Sequence, residues 1–172
     1  MVTLLNYAAI LYPAAVEIIP DVQSGVNVYS ISYNTTFKGQ PVTASGLIII
    51  PSVPGPYPVL AFQNGTNTLN ANAPSVDPDY QVYQFLQVIA STGYVVMIAD
   101  YLGFGASKNM AHPYLHKEST VQTIVDMLYA LEEFDEDIAK DITASNEYFL
   151  LGYSQGGWAT LALLDAMEND YA

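Results

Sequence analysis

The sequence predicts an α/β fold: a mostly parallel sheet with helices on both faces. Three observations carry that reading. From Pro58 onward, short apolar runs alternate with stretches of helical period. The run Tyr94 to Ala99 is apolar throughout, as in a strand buried on both faces. Finally, Tyr148 to Leu151 leads into Gly152-Tyr153-Ser154-Gln155-Gly156-Gly157, then a helix-like stretch from Trp158 to Met167. That is a strand, a sharp turn carrying a serine, and a helix.

The elements follow in order. Ala8 to Ile19 is apolar, but Pro13 and Glu17 interrupt it and no basic region precedes it. It makes a poor signal peptide and reads as an N-terminal arm or helix over 1–24, with 25–172 as one domain. Val26 to Tyr33 alternates, with Tyr29, Ile31 and Tyr33 on one face and Val26 and Val28 on the other. Phe37-Lys38-Gly39-Gln40 makes a turn, and Val42 to Ile50 returns as the second strand of an antiparallel hairpin. After the proline-rich break Pro51 to Pro56, Pro58 to Phe62 forms a short buried strand. Asp77-Pro78 has the form of a helix cap followed by a first-turn proline. Val82, Phe85, Leu86 and Ile89 then recur at helical spacing until Gly93. Val121, Ile124, Val125, Leu128 and Leu131 mark the next helix, and Gln155 to Met167 the last.

Composition narrows the function. Half the residues (51%) are hydrophobic, enough for a substantial core, and no run of eighteen apolar residues suggests a membrane span. Seventeen acidic residues stand against four lysines and no arginine, a net charge of −13. Such a surface repels nucleic acid and anionic membrane. Lacking arginine, the chain has no bidentate fork for phosphate or carboxylate. With no cysteine there is no disulfide framework and no thiolate metal site. The five carboxylates within Glu132 to Asp137 read as a solvated helix end, because they lack the alternation of a calcium loop. Neither a metal nor a cofactor is called for. The fourteen tyrosines suit strand ends and the core better than a sugar-facing groove.

In a parallel sheet the chemistry collects at the carboxyl ends of the strands. Three loops fall there: Gln63 to Thr68, Asp100 to Ser107, and the turn at Ser154. Ser154 is the candidate nucleophile, lifted above the sheet on a strained turn whose neighbours must be small. The plainer alternative is a glycine-rich turn with an ordinary serine. Acyl transfer by serine passes through an oxyanion that needs preorganised N–H donors. The Gln155 N–H at the helix start would be one; the other would come from Gln63-Asn64-Gly65-Thr66, best placed at Thr66. That second loop reads equally well as a plain turn. Asp100, Gly103 and Gly105 read as structural, with Asp100 anchoring its loop through backbone N–H groups. The glycine pair is no nucleotide fingerprint, because the third glycine is missing.

Taken together, Gln63-Asn64-Gly65-Thr66, Asp100-Tyr101-Leu102-Gly103-Phe104-Gly105 and Gly152 to Gly157 resemble the α/β-hydrolase superfamily. Within it the chain, including His112-Pro113-Tyr114-Leu115, is similar to the secretory-lipase and prolyl-oligopeptidase-like serine esterases, from about Val26 to the end. The resemblance implies Ser154 as nucleophile and Gln155 and Thr66 as oxyanion donors. It also favours a secreted or periplasmic location, which composition leaves open. Asn64 departs from the histidine that many relatives carry before the glycine, at a position that shapes the loop.

A larger departure concerns the base. In this superfamily the acid and the histidine follow the serine. After Ser154 come only Asp165, Glu168 and Asp170 as acids, and no histidine; His112 and His116 lie upstream. The simplest expectation is the N-terminal half of a hydrolase, with the last three strands, lid, acid and base on a second polypeptide or lost. The strand before Ser154 is too apolar for a sheet edge, so a complementary C-terminal fragment or self-association is expected. The implied reaction is hydrolysis of small-molecule carboxylic esters through an acyl-enzyme. A peptidase of the same fold, or an inert fragment serving binding or assembly, remains open. The absence of arginine argues against acyl-carrier transacylases and patatin-like lipases.

Overall fold

The structure is a computed structural model that describes residues 21–137 and 142–171. Most of the expected N-terminal arm lies outside the described residues. Its last positions run onward, with the Gln23 N–H donating to the Ser91 carbonyl at 2.8 Å.

Five strands form one sheet in the order β1-β2-β4-β3-β5. They are β1 (Val26–Phe37), β2 (Gln40–Pro51), β3 (Gly55–Gln63), β4 (Val95–Ala99) and β5 (Ile142–Gly152). β1 and β2 form a hairpin paired from Val26↔Pro51 to Phe37↔Gln40. Its two-residue turn, Lys38-Gly39, has φ of 51° and 72°, the left-handed pair that matches the twist of the flanking strands. This tight turn carries the pairing through Asn34, Thr35 and Thr36, so β1 runs four residues past the end that its alternation suggests. β2 pairs with β4 antiparallel, and β3 pairs with β4 and β5 parallel. The sheet is therefore mixed, and its parallel part carries the three loops of interest.

Strand alternation sorts the core into two layers. On one face Ile48, Ile50, Val59, Ala61, Val95 and Met97 pack with α2 (Lys117–Asp137) and α3 (Gln155–Asn169). On the other Leu47, Ile49, Leu60, Phe62, Val96 and Ile98 pack with α1 (Gln81–Ala90). No helix among the described residues is long and apolar enough to cross a membrane.

Two expectations for α1 need correction. The helix begins at Gln81 behind Tyr80, not at Pro78. Asp77 to Tyr80 is a separate turn, closed by the Tyr80 N–H on the Asp77 carbonyl at 3.1 Å, and the extended ψ of 140° at Tyr80 keeps it out of the helix. The buried face is also rotated: Tyr83, Leu86, Gln87, Val88 and Ala90 are inside, while Val82 and Ile89 are half-buried. Apolar counting misses this because two polar side chains are anchored inward. The Tyr83 hydroxyl donates to the Asn72 carbonyl and the Gln87 amide to the Pro78 carbonyl, each at 3.0 Å. In α2, Glu132 and Glu133 are exposed.

β2 and β4 approach closely at Gly46, where a Cβ would lie 2.7 Å from the Ile98 carbonyl oxygen and 2.6 Å from Met127 Cε. In an ordinary strand, alanine is no worse than glycine. Here Gly46→Ala should destabilise by about 1–3 kcal/mol through overpacking, read as a lowered urea midpoint with an unchanged m-value.

Candidate active site

The parallel register sets Ala61 beside Met97 and Gln63 beside Gly152, so β3, β4 and β5 run out at one edge. All three loops begin there. Ser154 is exposed and has φ 55° and ψ −122°. A positive φ strains any residue with a Cβ. The first turn of α3 holds it: the Gly157 and Trp158 N–H groups donate to the Ser154 carbonyl at 3.0 and 3.3 Å, and Gly156 N–H donates to Tyr153 at 2.8 Å.

The flanking glycines are required by contact. A Cβ on Gly152 would meet the Gly156 carbonyl oxygen at 2.3 Å, and one on Gly156 would meet the Gln63 carbonyl oxygen at 1.8 Å. Gly157 differs, its nearest neighbour being 3.7 Å away. The turn thus presses directly on the end of β3. Gly65 is pinned in the same way, since a Cβ there would sit 2.5 Å from the Tyr153 ring.

Thr66 is exposed, and its hydroxyl lies 3.4 Å from that of Tyr114. Among the described residues, neither the Gln155 N–H nor the Thr66 N–H has an acceptor. Both are free to serve a ligand, and Gln155 stands at a helix N-terminus, where donors point outward. Asn64 braces the loop: its amide donates to the Tyr83 hydroxyl at 3.0 Å, and its carbonyl accepts from the Tyr101 hydroxyl at 2.7 Å. Burial raises the pKa of both phenols, so they stay protonated as donors.

Asp100 is buried, and its hydrogen bonds differ from the expected set. One oxygen accepts the Ser75 N–H at 3.0 Å, from another loop. The other accepts the hydroxyls of Ser45, at 2.5 Å, and of Ser75. Its own loop is reached through a relay, in which the Ala106 N–H donates to Ser45 Oγ at 2.8 Å. A Cβ on Gly105 would fall 1.9 Å from the carboxylate, so the loop closes around Asp100 only with glycine there. Burial raises the carboxyl pKa above the ordinary 3.8, against the lowering effect of the Ser45 and Ser75 hydrogen bonds. Gly103 has φ 92° and passes over His112, where a Cβ would meet the His112 Cα at 2.6 Å.

Neither histidine hydrogen-bonds to Ser154 among the described residues. His112 bonds through Nδ1 to the Leu102 carbonyl at 2.7 Å and through Nε2 to the Gln155 side-chain amide at 3.0 Å. His116 caps α2, its Nδ1 accepting the Ser119 N–H at 3.3 Å. Of the downstream acids, Asp165 pairs with Lys117 at 2.5 Å, which holds its carboxyl below the usual range. No cluster of described residues could hold a metal. The partners Ser45, Ser75 and Tyr83 of this site were missed in the sequence. They lie far along the chain from Asp100 and Asn64, and only the fold brings them together.

As a whole, the described fold superposes on solved structures of a proposed hydrolase, an esterase and a lipase. A proposed hydrolase of Legionella pneumophila superposes with a TM-score of 0.78 at 28% identity, over 87% of this chain and 40% of its own. The rice cell wall degrading esterase LipA of Xanthomonas oryzae gives 0.76 at 34% identity, over 85% of this chain and 39% of its own. The chain has the α/β-hydrolase fold. Lipase A of Candida antarctica shares that fold at a TM-score of 0.62 and 20% identity, over 84% of this chain and 34% of its own. No protein-family model and no curated protein matches the sequence. The chain thus spans about two-fifths of the length of the Legionella and Xanthomonas proteins.

Two stability measurements probe the site. Gly156→Ala should cost about 3 kcal/mol or more, because a backbone carbonyl blocks the methyl. Gly157→Ala should be neutral or stabilise by up to about 1 kcal/mol, as in an open helical position. Equal effects in chemical denaturation would refute the assigned contacts. For Asp100, a raised folded pKa means that its contribution is complete below 3.8 and is lost as pH rises through the raised value. The stability advantage of wild type over Asp100→Asn should therefore shrink as the pH rises above 3.8 in urea titrations.

Proposed function

We propose that this chain is the nucleophile-bearing part of a serine hydrolase acting on carboxylic esters. The observation that carries the reading is Ser154, exposed on a positive-φ turn beside a helix N-terminus whose first N–H is free. In the reaction, Ser154 Oγ adds to the ester carbonyl and loses its proton to a base. The oxyanion accepts the N–H groups of Gln155 and Thr66, each worth about 3–4 kcal/mol in comparable sites. The alcohol then leaves with a proton, and water cleaves the acyl-enzyme.

The base and its orienting acid would come from polypeptide beyond this sequence. The exposure of Phe149, Leu151 and Tyr153 along β5 and after it, at the end of the strand order, supports such a complement. Both ring nitrogens of His112 are engaged away from Ser154, by the Leu102 carbonyl and the Gln155 side chain, which favours a second reading for the chain alone, an inert fragment that serves assembly. A nucleophile without its base loses about 10⁶-fold in turnover, so the two readings separate in one experiment.

Esterase-active material should contain, by intact mass, polypeptide in addition to this chain. A fluorophosphonate should label Ser154 in that material and spare Ser154→Ala. A single species with the mass of this chain that takes no label would overturn the esterase reading in favour of the inert one. Light scattering that shows a stable monomer of this chain would sink the predicted complement.

A further inference from the structure

We propose that His112 and Tyr114 are positioning residues that brace the two oxyanion donors, His112 through Gln155 and Tyr114 through Thr66. The catalytic meaning of the brace rests on the esterase reading, whereas its geometry can be tested without turnover.

The protonation pattern follows from the partners. A carbonyl only accepts, so His112 Nδ1, 2.7 Å from the Leu102 oxygen, carries the ring hydrogen. The neutral ring then offers its lone pair at Nε2, and the Gln155 amide nitrogen donates to it across 3.0 Å. This fixes the side chain of the residue whose N–H is the proposed donor. Gln155 is buried at the first position of α3, so holding its side chain limits rotation of the whole first turn.

The ring cannot easily drift. Tyr101 stacks on it with centroids 5.8 Å apart, Phe104 lies at 5.1 Å, and Tyr114 meets it edge-on at 5.9 Å. Gly103 presses on the His112 backbone instead, where a Cβ would lie 2.6 Å from the His112 Cα. Two residues on, the Tyr114 hydroxyl reaches Thr66 Oγ1 at 3.4 Å, a longer and exposed contact and so the weaker arm. The Tyr114 N–H donates to the His112 carbonyl at 2.9 Å, and Leu115 follows with φ 54°. A left-handed leucine costs about 1–2 kcal/mol and persists only where its surroundings impose it. One short segment thus touches both loops that would hold the oxyanion, where misplacement by about 0.5 Å already impairs catalysis.

The test is nitrogen-15 NMR of the histidine rings and backbone amides of this chain at neutral pH. Wild type should show the Nδ1–H tautomer for His112, and Gln155→Leu should shift the His112 Nε2 resonance. His112→Ala should move the Gln155 amide signal, and His112→Gln, which can still accept near the Nε2 position, should restore it in part. Tyr114→Phe should move the Thr66 amide. An Nε2–H tautomer in wild type, or an unmoved Gln155 amide in a folded His112→Ala, would overturn the proposal. The wild-type tautomer decides even if the variants fail to fold. Ser154→Ala should leave that tautomer unchanged, and esterase-active wild-type material that takes no fluorophosphonate on Ser154 would sink the esterase reading without touching the brace.

Discussion

The close approach of Gly156 to the Gln63 carbonyl governs the rest of the site. A Cβ at Gly156 would lie 1.8 Å from that oxygen, so nothing larger than a hydrogen separates the serine turn from the end of β3. Because β3 lies between β4 and β5, this contact ties the nucleophile turn to the loop proposed to complete the oxyanion hole. The positive φ of Ser154 is held by this contact together with the hydrogen bonds of the first turn of α3. Sheet register and serine conformation are thus one constraint.

Polar groups at this edge show where the fold gives up stability. Gln63 is buried, yet neither side-chain amide atom has a partner among the described residues. The same holds for Gln155 Oε1 and Asn67 Nδ2. Each such group costs about 1–3 kcal/mol in a folded protein. Asp100, by contrast, has both oxygens engaged and locks the loops of β3 and β4 together. Thr35 Oγ1 on β1 is unpartnered as well, so such groups concentrate around the turn without being confined to it; their concentration there fits a functional surface where local rules yield.

How much of this was legible depended on range along the chain. Strand and helix order, the hairpin turn at Lys38-Gly39 and the serine turn follow from local chemistry, and all could be read in sequence. The inward face of α1 could not, because Tyr83 and Gln87 count as polar until their acceptors on Asn72 and Pro78 are known. The anchoring of Asp100 was half legible: a carboxylate that anchors its loop through backbone N–H groups was expected, but Ser45 and Ser75 join it only through β2 and a distant loop. His112 was the least legible. Its role depends on which ring nitrogen is free, and that is decided by a carbonyl ten residues away and an amide forty-three away.

That ring also explains why an upstream histidine near the serine is no substitute for a base. To accept the Ser154 proton, His112 would have to release the Gln155 amide from Nε2 or the Leu102 carbonyl from Nδ1. It would also have to leave a pocket of three aromatic rings. Breaking either bond exposes a buried partner and loosens the residue proposed to hold the oxyanion, so gaining a base would cost the site a donor. A histidine that positions and a histidine that abstracts protons place opposite demands on the same lone pair. The fold meets the first demand at His112, and the second would have to be met by a group approaching from the open side of β5.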